Sequence, residues 1–439
     1  MLRLLSIAAL VAPAALAQTA PEGAVPLDPA GFAESPVAEL RLGQALFYDP
    51  VLSGNREVSC ATCHHPRFAT GDGVALGLGD GGEGLGPERR VDPDNPPEQR
   101  IPRNAPPLFN LGHRDVGVMF ADGRIERDPA RPSGLRTPLE DEMVTGFSGL
   151  LSAQTMFPVL SPDEMAGHYG ENEVSQLVRQ GRLTGPGGAW EAIAARVAAI
   201  PAYREGFAAA YPEIAGGRTI AFTDISNAIA AFIAHEWRAD DSPHDRAFRG
   251  EAVLGPEAAR GRALFYGAAG CAACHSGPLL SDQSFHAMGA PQIGPGKAER
   301  FESHHRDEGR ARVTGRAEDM FAFRTPMLRN VVETGPWGHA GAHDDLRAFL
   351  ADHADPAAGL ARFEPRAVLP DLPGAEDWTE TAGPGRDAIA AAVAVAPVTL
   401  DEDALDALMA FLGALSDPVS LSGRMGIPET VPSGLPVAR

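Results

Sequence analysis

Cys60-Ala61-Thr62-Cys63-His64 and Cys271-Ala272-Ala273-Cys274-His275 decide how this chain is read. Each is C-x-x-C-H, and together they use all four cysteines of the 439-residue sequence. The spacing suits one chemistry: two thiols add across the vinyl groups of one porphyrin edge, and the imidazole that follows reaches the iron. Four cysteines in an exported chain would ordinarily suggest two disulfides. A thioredoxin-like redox pair and a Cys/His zinc site also use C-x-x-C. A redox pair rarely carries a trailing histidine twice, and no cysteine is left over. Two covalently attached c-type haems are therefore expected, held by Cys60, Cys63 and His64 and by Cys271, Cys274 and His275.

The flanks repeat as well. Gly43 precedes Gln44-Ala45-Leu46-Phe47-Tyr48, and Gly261 precedes Arg262-Ala263-Leu264-Phe265-Tyr266. Each reads as the N-terminal helix of a cytochrome c module. Thr223 to Arg238 is amphipathic, with Ile225, Ile229, Phe232 and Ile233 on one face and Thr223 or Asp224 as N-cap. Thr399 to Ser416 repeats the pattern through Leu405, Leu408, Met409, Leu412 and Leu415. The expected fold is mainly α, with two cytochrome c-like haem domains (18–245 and 246–439) and long ordered loops. The loops follow from 49 glycines and 39 prolines. Ala239 to Pro256 reads as the linker, and Gly71 to Pro107 as one long loop of the kind that is usually functional or disordered.

At the N-terminus, Met1-Leu2-Arg3 leads into an apolar run from Leu4 to Leu16 and an A-x-A site at Ala15-Leu16-Ala17. These predict a cleaved secretory signal over residues 1–17, too short for a spanning helix. No later stretch offers the ~18 uninterrupted apolar residues of a membrane span. The reading is an exported, periplasmic protein with no membrane span. Thirty-seven basic against 58 acidic residues give a formal charge of −21. That argues against nucleic acid as a partner. It suits a basic redox partner, though a generic acidic surface explains it equally well.

Further segments point to a family. They are Arg103-Asn104-Ala105-Pro106 with Leu108-Phe109-Asn110; Asp122-Gly123-Arg124; Gln154 and Glu164 within Ser152 to Met165; Leu328-Arg329-Asn330-Val331; and Thr334-Gly335-Pro336-Trp337-Gly338-His339. With the two haem motifs they resemble the bacterial di-haem cytochrome c peroxidase family, which includes the MauG enzymes. The resemblance implies a peroxidatic haem on His64 and an electron-transfer haem on His275. It implies that Glu164 moves a proton between the two oxygens of hydrogen peroxide while Gln154 orients the peroxide. It also implies a calcium ion held by Asn104 and the backbone carbonyls of Thr334 and Pro336, hard oxygen ligands that suit Ca²⁺. From spacing alone Gln154 and Glu164 are unremarkable, because Pro158 and Pro162 keep them from sharing a helix face.

Three positions depart from the family pattern. Asp80 stands where the resemblance implies a distal histidine, so the first iron is expected to be open; His113 is the nearest later histidine and reads as a surface loop residue. His353 stands where the second haem usually has a distal methionine or tyrosine. With Asp344 as N-cap it shares a helix face with Leu346, Phe349 and Leu350, and it is the expected sixth ligand over the rivals Met288, Met320 and Met327. Ala121 stands where the family commonly has tryptophan before its Asp-Gly-Arg, leaving Phe120 and Trp337 as candidate relays. Arg89, Arg90, Arg100 and Arg103 read as haem-propionate partners or as a solvated loop. The leading functional reading is a peroxidase fed by a small redox protein such as a cytochrome c or cupredoxin. Beside it stand a MauG-like enzyme that oxidises Tyr or Trp of a partner protein, and a non-enzymatic electron carrier.

Overall fold

Two glycines allow two pairs of helices to close on one another. In the computed structural model, which describes residues 21–297 and 304–439, α1 (Val37–Tyr48) crosses α2 (Phe222–Glu236), and α3 (Pro256–Tyr266) crosses α5 (Glu402–Gly413), with α4 (Leu346–Ala354) between the latter two in sequence. A methyl group at Gly43 would lie 1.9 Å from the carbonyl oxygen of Ala228, and one at Gly261 would lie 1.8 Å from that of Ala407. One turn on, Phe47 meets Phe232 at 5.4 Å between ring centres, and Phe265 meets Phe411 at 5.1 Å. Both crossings thus use glycine to bring backbones together and phenylalanine to fill the space beside them. Gly43→Ala and Gly261→Ala are each expected to cost about 1–3 kcal/mol or more by overpacking. The check is the midpoint of chemical denaturation, and an unchanged midpoint in both would contradict the close crossing.

The equivalence extends beyond the helices. Asn104-Ala105-Pro106-Pro107-Leu108-Phe109-Asn110 and Arg324-Thr325-Pro326-Met327-Leu328-Arg329-Asn330 occupy matching places. Asn110 and Asn330 both turn left-handed, at φ 60° and 63°. Asn110 donates its N–H to Trp237 O and accepts through Oδ1 from Ala239 N, just past α2. Asn330 donates to Leu415 O and accepts from Asp417 N, just past α5. The chain is helix-rich. Its strands are two- or three-residue pairs such as Phe285–His286 with Phe323–Arg324.

One apolar core gathers around α1 and α2, and a smaller one around α3 and α5. The C-terminal tail returns to the first: Met425, Ile427 and Leu435 pack on it, and Ser433 Oγ donates to Asp49. Several local expectations change. Ala221, not Thr223 or Asp224, caps α2, and Asp224 at the third position accepts from the Ala221 N–H. Asp345, not Asp344, caps α4 through a 2.8 Å bond from Ala348 N. The 239–256 stretch, read as the linker, is ordered. It holds the helix Pro243–Phe248, and its Asp245 pairs with Arg329 at 2.7 Å with both side chains buried. Residues 1–17, the predicted export signal, lie outside the described residues. No helix among the described residues is long and apolar enough to cross a membrane.

Candidate functional site

Both C-x-x-C-H histidines are prepared for metal in the same way. His64 Nδ1 lies 2.9 Å from the Thr70 carbonyl, with the Pro106 carbonyl beside the same ring. His275 Nδ1 lies 3.1 Å from the Leu280 carbonyl, with Pro326 in the matching position. A proton on Nδ1 fixes the tautomer and turns Nε2 outward as the free ligand atom. Burial lowers the pKa of both rings, so they are neutral as iron ligands must be.

Opposite His275 stands His353, their ring centres 6.3 Å apart and their planes inclined by 50°. Metal–nitrogen bonds of about 2 Å on each side, with about 1 Å from nitrogen to ring centre, span about 6 Å. The gap is therefore the width that one iron held by both imidazoles would need. Burial, then the nearby His275, pushes His353 down to about 4. Two of the rival methionines are placed elsewhere: Met320 packs on Phe321, Leu360 and Ile389, and Met327 on the first core. Cys274, Asp282 and His286 also converge. A sulfur committed to a haem thioether is no longer a thiolate ligand.

The His64 side differs. Among the described residues no second imidazole faces His64. His113 is buried, not a surface residue: its ring packs on Phe32 at 4.9 Å, Nε2 lies 3.1 Å from Asp28 O, and Nδ1 accepts from Asp115 N. Asp80 is fully buried, accepts from Asn55 Nδ2 at 2.9 Å, and donates its N–H to the carbonyl of Glu164. Its loop is clamped by Arg89, which donates to the carbonyls of Leu78, Gly79 and Gly84. Gln154 closes the helix Leu150–Gln154, and Glu164 sits in a single π-type turn, Pro162–Ala166. Neither side chain hydrogen-bonds to the protein among the described residues. Glu164 is near enough for its charge to bear on His64, Arg124 and Lys297.

Asp80 carries a pH signature. Burial, tempered by the Asn55 bond, raises its pKa from 3.8 to about 6. A carboxyl with a higher pKa folded than unfolded favours folding below about pH 4, and that contribution is lost as pH rises through 6. Asp80→Asn should therefore raise the unfolding temperature relative to the parent at pH 8 and lose the advantage at pH 4. Equal increments at both pH values would show that Asp80 does not titrate this way.

The four arginines singled out in the sequence divide. Arg100 pairs with Asp377 at 2.6 Å. Arg103 bridges Asp122 and Asp307, both at 2.7 Å. Burial alone would raise Asp307, but Arg103 more than offsets it and holds the carboxyl well below the usual range. Arg89 serves backbone carbonyls, so these three are not solvated, and only Arg90 is exposed; Arg100 keeps a buried Nη1 without a partner among the described residues. Sequence reading missed Lys297 and Arg324. With Arg124 and His339 they are only partly exposed, and enclosure by protein lowers the pKa of all four. His339 stacks on Phe323 at 3.8 Å, and both its ring nitrogens lack partners among the described residues. The repeat of Asn104–Asn110 at Arg324–Asn330 was the available signal for Arg324.

Asn104 and Pro336 do come together: Asn104 Nδ2 donates to the Pro336 carbonyl at 2.8 Å. Turning the amide over would set two oxygens face to face, an arrangement that a cation would bridge. Thr334 follows the same turn, its hydroxyl donating to Val331 O. At position 121 the chain has alanine. Phe120 lies under Arg124 at 3.9 Å and meets Phe157 edge-on, while Trp337 donates to Val331 O.

Residues 37–253 match the family model described as di-haem cytochrome c peroxidase. The methylamine utilization protein MauG of Methylorubrum extorquens is 32% identical over 320 residues, spanning 72% of this chain and 68% of that protein. Cytochrome c551 peroxidase of Pseudomonas aeruginosa is 26% identical over 364 residues, spanning 78% and 85%. Among solved structures, a MauG-like protein associated with microbial copper homeostasis aligns with a TM-score of 0.59 at 26% identity, covering 91% of this chain and 95% of that one.

Proposed function

Because the chain belongs to the di-haem cytochrome c peroxidase and MauG family, we propose that it reduces hydrogen peroxide at a haem held by Cys60, Cys63 and His64, with electrons entering through a second haem held by Cys271, Cys274 and His275. The observation that carries the reading is an asymmetry. An imidazole faces His275 across an iron-sized gap, whereas no imidazole faces His64, whose side of the molecule holds Gln154 and Glu164 without protein partners.

Bound haem supplies the iron that receives peroxide and the electrons that reduce it. The chain supplies the proton traffic. Glu164 takes the proton from one peroxide oxygen and gives it to the other, so that the second leaves as water. Gln154 offers both a donor and an acceptor to a substrate that is itself both. Two electrons and two protons from outside complete the conversion of peroxide to two waters. Under this proposal the export signal delivers the protein to the periplasm, the donor is a small cytochrome c or cupredoxin, and Asn104, Thr334 and Pro336 hold a calcium ion.

The test is the electron paramagnetic resonance spectrum of the ferric protein before and after one equivalent of peroxide. A mixed high-spin and low-spin spectrum that peroxide abolishes is expected. Two low-spin haems indifferent to peroxide would make the protein an electron carrier or an enzyme that needs prior reduction.

A second reading is favoured by the His275–His353 pair and the likeness to MauG: oxidation of Tyr or Trp on a partner protein. A bis-imidazole haem has a lower potential than a His/Met one, which suits it poorly as an entry point for electrons from a high-potential donor. Rapid oxidation of reduced cytochrome c by peroxide supports detoxification. Poor turnover with a long-lived oxidised state supports the partner-protein reaction.

A further inference from the structure

Phe323-Arg324-Thr325-Pro326 crosses the junction between the two halves, and its arginine is fixed there by backbone. Arg324 N donates to Ala121 O at 2.8 Å, Nε to Phe120 O at 3.1 Å and Nη1 to Thr325 O at 3.2 Å. All three acceptors are neutral. Nearby, Arg103 and Arg124 share Asp122 and Asp307, two cations with two anions, and Lys297 adds a further cation. Arg324 has no carboxylate at ion-pair distance among the described residues, and its Nη2 has no partner.

Enclosure by protein pulls the Arg324 pKa down to about 10, and no anion acts in the other direction. A buried guanidinium without a counter-charge is unfavourable unless an anion meets it in the working protein. Two residues further on, the Pro326 carbonyl lies beside the His275 ring, which puts Arg324 close to the second haem's site. Its planar fork matches a carboxylate, and a haem brings two of them.

We infer that Arg324 binds a propionate of the haem carried by His275 and ties that haem's edge to the first half through Phe120 and Ala121. This rests on the di-haem reading above. Arg324 bonds to the backbone of Phe120 and Ala121, beside the position where the resemblance implies a tryptophan, and its charge favours the reduced state of the haem it holds.

The test uses the di-haem holoprotein with Arg324→Gln and Arg324→Lys, titrated potentiometrically while the low-spin and high-spin haems are followed separately. In Arg324→Gln the reduced-to-oxidised ratio of the low-spin haem at fixed potential is expected to fall about tenfold, equivalent to about 59 mV for a one-electron couple. Arg324→Lys should keep most of the parent potential. An unchanged low-spin potential in Arg324→Gln, or a shift confined to the high-spin haem, overturns the assignment. Should Arg324→Gln not accumulate, resonance Raman of the parent and Arg324→Lys serves instead. The propionate bending band should move when a fork is replaced by a point charge, and an unmoved band overturns the inference. Haem content separates the two failures: fewer than two haems per chain sinks the di-haem reading itself, whereas two haems with unaltered potentials sink only Arg324.

Discussion

Replacing Glu164 by glutamine is expected to lower the turnover of hydrogen peroxide by about 10²–10⁴-fold, the usual range for removing a general acid–base group. The substitution keeps size and hydrogen-bonding capacity but cannot take up and release a proton. Haem content, the ferric spectrum and the unfolding midpoint should stay at parent values, because the carboxylate makes no hydrogen bond to the protein among the described residues and is only partly buried. The loss should appear in kcat and kcat/KM together, since a proton moved only in the transition state contributes little to ground-state binding. Gln154→Ala should act more mildly and mainly through KM. A Glu164→Gln enzyme with parent turnover would remove Glu164 from the mechanism.

His353→Ala is expected to convert the second haem from low-spin to high-spin. The facing imidazoles of His275 and His353 leave the space one iron would need, and the methionine rivals Met320 and Met327 pack elsewhere. The low-spin ferric signal should vanish in the variant and return on adding free imidazole, which refills the space the substitution opens. His353→Met should retain a low-spin haem at a higher potential, following the ordering of His/Met above His/His ligation. A low-spin signal that survives His353→Ala without added imidazole would mean another residue is the ligand.

Much of this was legible in the sequence because the information was local. The C-x-x-C-H motifs, the paired Gly-x-x-x-Phe-Tyr helices and the apolar stripes of α2 and α5 all lie within a few turns of chain. For His353 the local pattern, one turn from Phe349 on a short helix, marks only a buried histidine; its place as a ligand came from the position the resemblance implies. What stayed hidden depends on residues far apart in sequence. Arg103 meets Asp307, Arg100 meets Asp377, and Asp245 meets Arg329, and no periodicity announces such pairs. His113 looked like a loop residue because its neighbours are polar; its burial depends on Phe32 and Gly31, whose missing Cβ leaves room for the ring. Helix starts were displaced by a residue or more because several acidic and hydroxyl side chains compete for each cap, and only the backbone geometry chooses among them.

The matched helix crossings also bear on how the molecule assembles. At the point of closest approach α1 offers glycine and phenylalanine to an alanine carbonyl and a phenylalanine, and α3 offers the same to the same. The contact itself gives α1 little means of telling α2 from α5. Order of appearance supplies what the contact lacks: a chain that emerges N-terminus first presents α2 to α1 before α5 has arrived. Refolding the whole chain from denaturant removes that order. The exchanged pairing, α1 on α5 within one chain or between two, is then the characteristic wrong turn open to a protein built on a repeated contact.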